Sequence, residues 1–487
     1  MAKKIRVRLS GLALFIGNIL SFLLGFVFIV LVSRKLSQED LGAWFFIGSL
    51  LTYFQVLEKV LPYWVIRDSA RGAKIVKTSS FFNLLISIPL LASFLCASYA
   101  MSDTVGIDVI LFLIASLLLP IYYVQAPVTS VIYATRPHLA SLRNPMIDGV
   151  KILLALLLLP YGLKGVLVAV IIANLVYLIY SIAIVRDCIE DRLRIDWLKS
   201  RIRHAWLPLF RSASGYVNSA SDSFLVGILL SPIDLSYYGI GITISNAIRS
   251  SAQMSLPFSV KLLAKEETNQ REIRSLFKFI LIFVIPMLLG GIVLAPNLFG
   301  IFGRAYVKGA WILPPLLLAA VFSTYSSALG EMLKGLEKID KSLEVGYRDL
   351  LRSKLFAVDS LDYLSTGILI TLSVILIPPM GGFGAAFSRL VASIIISLIL
   401  TYMSRQYLPF RRLAVDLAKI IVACLPMIVF LMLFKPVGSI RTFISIAAGA
   451  AIYFASLYAI DSESRKLIKL FLNELSRRAH FSKELAL

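Results

Sequence analysis

Of 487 residues, 58% are hydrophobic and only 16% charged, with a mean hydropathy of +0.84; soluble domains are about a quarter charged, so a soluble globular protein is excluded. The roughly 282 hydrophobic positions nearly match the 280 or so that about fourteen membrane spans of about 20 residues require. The 49 Lys and Arg against 28 Asp and Glu give +21, a surplus that in a polytopic chain belongs to cytoplasmic loops and not to nucleic acid.

The first predicted helix covers 11–32, behind Lys3, Lys4, Arg6 and Arg8. It is too long for a signal-peptide core and lacks an AxA-like exit, so it reads as an uncleaved span. Thirteen more apolar stretches follow at 41–63, 79–100, 108–131, 145–161, 165–185, 208–230, 235–260, 276–302, 311–333, 361–377, 383–404, 417–434 and 442–460. The expected fold is therefore an all-α polytopic membrane protein of about fourteen helices, with both termini on one side. With that side cytoplasmic, 38 Lys and Arg fall in the tails and even-numbered loops, seven in outer loops, and four, Lys59, Lys151, Arg249 and Arg389, within spans. That asymmetry satisfies the positive-inside rule and orients the chain. The connections 186–206 and 334–356 and the tail from 462 are basic and amphipathic, and read as helices lying in the cytoplasmic interface.

The chain repeats itself. Leu36-Ser37-x-x-Asp40-Leu41-x-x-Trp44 recurs as Leu230-Ser231-x-x-Asp234-Leu235-x-x-Tyr238, and Pro160-x-Gly162-x-x-Gly165 recurs as Pro379-x-Gly381-x-x-Gly384. Both matches fall at equivalent outer turns, which predicts two pseudo-symmetric six-helix lobes related by an axis along the membrane normal. The expected organisation is an N-terminal lobe 1–185, a linker 186–206, a C-terminal lobe 207–405, two extra helices 406–461 and a basic tail 462–487. Asp40 and Asp234 are expected to cap the helices they precede, and the Pro and Gly residues to turn the chain.

Ionisable residues inside spans are costly and call for a partner, a wet cavity or a function. Arg249 lies midway along its span, in a stripe of Asn246, Arg249, Ser250 and Gln253 at i, i+3, i+4 and i+7. It either lines a substrate cavity or pairs with an acid such as Asp222. The preceding helix is polar from Arg211 to Ser223, and Ser214, Asn218, Ser221 and Asp222 line water or a packed small-residue interface. Ser323 to Ser327 with Glu331 are a weaker case of the same kind. Asp148 and Lys151 can pair on one face. Lys59, beside Glu58, and Arg389 are placed to snorkel toward opposite surfaces. Four intramembrane cations suit a phosphate or acidic sugar better than a cationic drug.

The singleton cysteines Cys96, Cys188 and Cys424 and the isolated His138, His204 and His480 offer no disulfide framework or metal motif. No HExxH, GxxxxGK[ST] or GxSxG element occurs. Neither cofactor nor catalytic residues are expected, and the chain is not expected to be an enzyme.

The stretch 225–239 (LVGILLSPIDLSYYG), the segment 302–310 (FGRAYVKGA) and the turn 377–386 (IPPMGGFGAA) resemble the polysaccharide-exporter and O-antigen flippase family of the multidrug, oligosaccharidyl-lipid and polysaccharide exporter superfamily. The resemblance implies two six-helix lobes around a cavity that opens to one side at a time. It implies a flippase that moves a polyprenyl-phosphate- or diphosphate-linked oligosaccharide from the cytoplasmic to the outer leaflet of the cell membrane, for surface glycan assembly. Its implied partners are that lipid-linked oligosaccharide, membrane lipids, glycosyltransferases or a polymerase of the same pathway, and a coupling ion, proton or sodium. A cation-coupled multidrug exporter of the same superfamily is the alternative; such proteins place an acid in the first helix, where 11–32 has only Asn18. A membrane glycosyltransferase or polymerase would need a catalytic loop larger than the short outer loops here.

Overall fold

A computed structural model describes residues 7–190, 192–252, 270–336, 354–434, 436 and 438–465, and within them every regular element is a helix. In chain order these are α1 (Val7–Ser33), α2 (Gln38–Phe54), α3 (Val60–Ala70), α4 (Val76–Val105), α5 (Val109–Ser116), α6 (Leu118–Thr135), α7 (Pro137–Ala140), α8 (Arg143–Leu158), α9 (Gly162–Val185), α10 (Ile195–Ile202), α11 (Trp206–Leu229), α12 (Pro232–Ser250), α13 (Gln270–Val293), α14 (Ala295–Phe302), α15 (Leu313–Leu336), α16 (Lys354–Ser404), α17 (Phe410–Phe434) and α18 (Ser439–Ile460). Among the described residues, 8 helical stretches are long and apolar enough to cross a membrane, or 9 counting the bent pair α2 and α3. Two of them, Pro137–Cys188 and Phe356–Ser404, each fold back at a glycine and hold two crossings. Helix α1, with a shorter apolar stretch at Leu20–Ser33, and the more polar α11 and α12 lie outside that count.

Two compact units emerge, Met1–Ile244 with Glu344–Ile396, and Ser245–Leu343 with Ser397–Leu487. In the first, Val65, Val76, Val128, Ile132 and Val185 form a buried cluster. In the second, Ile282, Ile285, Ile420, Met427, Leu431 and Tyr453 pack α13 against α17 and α18.

The internal repeat is reproduced in backbone detail. Gly162 (φ 64°, ψ −148°) and Gly381 (φ 57°, ψ −142°) adopt the same left-handed conformation, which a side chain would resist. Three residues on, a Cβ at Gly165 would lie 1.9 Å from the Leu158 carbonyl oxygen, and one at Gly384 2.1 Å from that of Leu376. The capping expectation is corrected: Ser37 and Ser231 are the caps. Their Oγ atoms accept from the N–H of Asp40 at 3.0 Å and of Asp234 at 3.2 Å. The aspartates sit three residues into the motif, where an acid still favours the helix N-terminus. The two copies also meet, since a Cβ on Gly42 would fall 1.8 Å from the Pro232 carbonyl oxygen and Gln38 Nε2 donates to Tyr237 Oη at 3.2 Å.

Prolines set a second recurring theme. A proline at position i+4 leaves the carbonyl of residue i without its helical donor, and in a membrane that acceptor must find another. Pro62 orphans Glu58 and Pro127 orphans Tyr123; fully buried Asn83 of α4 donates to both carbonyls, at 3.1 and 3.0 Å. Pro286 orphans Ile282, and Tyr453 of α18 donates to it at 2.8 Å.

Candidate functional site

The second span is broken. After Phe54 the chain passes through Gln55 into a 3-10 turn, Val56–Lys59, before α3 resumes, and the two helices are bent by 49°. Pro62 forbids the regular bond back to Glu58, and each exposed carbonyl acquires a side-chain donor: Tyr123 Oη to Phe54 (2.7 Å), Ser212 Oγ to Val56 (3.0 Å) and Asn83 to Glu58. Irregular backbone at membrane depth persists only where protein or a wet cavity satisfies it, and transporters build substrate sites from such discontinuous helices. The 11-residue α3 continues beyond Lys59 for about 16 Å of helix. Lys59 Nζ lies 2.7 Å from the buried Glu58 carboxylate, with the Lys59 side chain 45% exposed.

The polar helix α11 is fastened to this break and to α16. Tyr216 Oη donates to Glu58 Oε1 at 3.0 Å, and Tyr53 Oη to Ser221 Oγ at 3.0 Å. Asn218 Nδ2 donates to Ser365 and Thr366 hydroxyls at 3.1 and 3.0 Å. Arg389 does not snorkel: its guanidinium is buried against Asp222, which also accepts from Tyr238 Oη at 2.5 Å. Asp222, named as a partner for Arg249, is thus held by Arg389. Ser214 and Ser221 are buried, in keeping with packing, whereas Ser219 and Ser223 border a cavity described below.

Lys151 binds Asp148 at 2.6 Å, and Ser21 Oγ donates to the same carboxylate at 2.8 Å. Its ammonium also lies 4.3 Å from the Phe28 ring centre, which in turn packs on Trp44. Lys59, Lys151 and Arg389 therefore each sit in an ion pair. Arg249 and Asn246 are half-buried on α12 within the second unit, where the Ile248 carbonyl accepts from Thr324 at 3.3 Å; Gln253 lies outside the described residues. So do most of the connection 334–356 and of the basic tail.

Sequence reasoning counted Arg143 as a loop cation. It begins α8, donates to Gln125 Oε1 at 3.2 Å, and lies within electrostatic reach of Tyr122 together with Glu58. It also missed a cluster in the second unit. Lys278, 2% exposed, contacts Asp416 (3.2 Å), Asp461 (2.6 Å) and Glu463 (3.0 Å), while Arg274 forks onto Asp416 and Lys419 reaches Asp461. Burial alone would raise Asp461, but hydrogen bonds from Lys278, Ser464 and Lys419 outweigh it and hold the carboxyl well below its ordinary range. The Lys278 hydrogen bond lowers Glu463 likewise.

The linker is docked within the first unit. Asp68 accepts from Trp197 Nε1 at 2.7 Å and from Arg201 through two bonds of 3.0 Å. Glu190 accepts from the N–H groups of Lys77 and Thr78 at 2.9 and 2.5 Å, capping α4 where Ile75 supplies no side chain.

A cavity of about 340 Å³ opens between α2, α6, α9 and α11, lined by Trp44, Phe45, Thr52, Gln55, Tyr122 and Ser223 among others. Gln55, the residue before the break, is among its lining residues.

No family model matches the chain, and no curated protein matches it by sequence. Solved structures do. A lipid II flippase MurJ in an inward closed conformation superposes with a TM-score of 0.73 at 16% identity, over 93% of this chain and 99% of that one. An inward-facing multidrug resistance MATE family transporter of the MOP superfamily gives 0.62 at 13% identity, over 81% and 95%, and an outward-facing one gives 0.54 at 13%, over 84% and 96%. The chain has the fold of these multi-pass membrane transporters.

Proposed function

We propose that this chain is a flippase that moves a polyprenyl-phosphate- or diphosphate-linked oligosaccharide from the cytoplasmic to the outer leaflet of the cell membrane, with both termini cytoplasmic. The observation that carries this reading is the likeness of fold, over nearly the whole of both chains, to a lipid II flippase. In it, 1–185 and 207–405 act as the two lobes, and the broken second span with Lys59, Lys151 and Arg143 supplies one wall of the headgroup path. Arg249, Asn246, Gln253, Asp222, Asn218 and Arg389 are the further candidate contacts for the headgroup. Carrying phosphate and hydroxyl groups through hydrocarbon strips them of water at prohibitive cost; a wet polar path removes most of that barrier while the polyprenyl tail stays in lipid. Rocking of one lobe on the other re-exposes the headgroup outside.

Multidrug exporters share the fold at lower TM-scores, and the electrostatics favour the flippase. A cation exporter needs an open intramembrane acid, and Glu58, Asp148 and Asp222 each lie against a basic side chain. The decisive assay supplies a labelled polyprenyl-diphosphate oligosaccharide in one leaflet of proteoliposomes and times its arrival in the other. Movement that requires protein and is lost in Arg249→Ala is the expected result. No movement, with export of an organic cation from the same vesicles, would establish the exporter instead.

A further inference from the structure

The cavity beside the helix break has a chemistry of its own. Trp44, Phe45 and Tyr122 offer aromatic surface, and Thr52, Gln55 and Ser223 offer hydroxyl and amide groups; none of its lining residues is charged. Its volume of about 340 Å³ falls in the range of small-molecule sites, about 300–1,000 Å³. An apolar ligand would leave the hydroxyl and amide groups unused, and a cation would find no carboxylate in the lining to balance its charge. A sugar ring uses both kinds of surface, its C–H face against an aromatic ring and its hydroxyls against polar groups. The position matters as well. Gln55 lines the cavity and is the residue before the break; Lys59 follows it by four residues, and Arg143 lies within electrostatic reach of the lining Tyr122.

Resting on the flippase reading, we infer that this cavity is a saccharide subsite. It receives the first sugar of the headgroup, while Lys59 and Arg143 face the phosphate to which that sugar is joined.

The test uses the full-length protein in nanodiscs and short-chain probes: citronellyl diphosphate, bare or bearing glucose, galactose or N-acetylglucosamine. At least one sugar-bearing probe is expected to bind tenfold or more tighter than the bare diphosphate. Trp44→Leu and Gln55→Leu should each bring that ratio close to one, with bare-diphosphate affinity as the internal reference for folding. Ser223→Val, which removes one hydroxyl from the lining, should lower the ratio about threefold. A ratio of one for every sugar in the wild type, or a ratio untouched by Trp44→Leu and Gln55→Leu, overturns the subsite. If proteoliposomes still flip the long-chain substrate in that case, the flippase reading stands and this inference alone fails; if no probe binds and nothing is flipped, both fail.

Discussion

Replacing Asn83 by Ala removes a single amide that serves two carbonyls, those of Glu58 and Tyr123, each orphaned by a proline four residues ahead. A buried acceptor left without a donor costs about 1–3 kcal/mol, although hydrogen bonds between membrane helices average nearer 0.6 and reach about 1.7 kcal/mol. Two such losses predict a destabilisation of about 2–3 kcal/mol, plus the cavity left by the truncated side chain. The two parts separate in a double-mutant cycle. Pro62→Ala restores an N–H that can reach the Glu58 carbonyl, and Pro127→Ala one for Tyr123, so each should recover about 1 kcal/mol more in the Asn83→Ala background than in the wild type. The cavity term enters with Asn83→Ala whether or not the proline is present, so it cancels in the cycle. Equilibrium unfolding in mixed detergent micelles, followed by circular dichroism, gives the four free energies of each cycle. Coupling indistinguishable from zero in both cycles would refute the carbonyl-rescue account.

Asp222→Leu leaves Arg389 buried without its carboxylate and should cost about 3–5 kcal/mol, whereas Asp222→Leu with Arg389→Met should recover most of it; the same unfolding assay decides. The carboxyls of Asp461 and Glu463 are held below their ordinary range in the folded chain. Their stabilisation is therefore complete above the unfolded values near 4 and fades as pH falls through the lowered ones. Unfolding measured between pH 6 and 3 should show this fall, reduced in Asp461→Asn. Gly165→Ala and Gly384→Ala drive a methyl into a carbonyl and should both prevent stable folding, while Gly25→Ala, with open space around it, should change stability by less than about 1 kcal/mol. Detergent-extracted yield and monodispersity distinguish these outcomes.

Hydropathy and the positions of Lys and Arg made the helices legible, because lipid imposes a length and a polarity on each span. The repeat was legible because turns demand particular residues, and Gly162 and Gly381 carry the same backbone conformation. Pairing was legible only in part. Asp148 and Lys151, three apart on one helix, were expected to pair and do; Lys59 and Arg389 read as snorkelling cations, yet Glu58, adjacent in sequence, and Asp222, 167 residues from Arg389, lie against them. Arg389 and Asp222 come from different spans, so no local period reveals them. The break in the second span had a signal that went unused: Pro62 follows Glu58 by four residues, as Pro127 follows Tyr123 and Pro286 follows Ile282. A proline inside an apolar stretch announces a free carbonyl, and a buried Asn or Tyr on another span is its natural partner.

The docking of α10 turns a long connection into a short leash. With Arg201 forked onto Asp68, only residues 202–205 separate that anchor from the start of α11, a reach of roughly 17 Å even if fully drawn out. Any swing of α11 away from α3 is capped by that length, so an ion pair on the buried Asp68 carboxylate sets how far the two helices can part. Loosening Asp68 would lengthen the leash without changing a residue of α11.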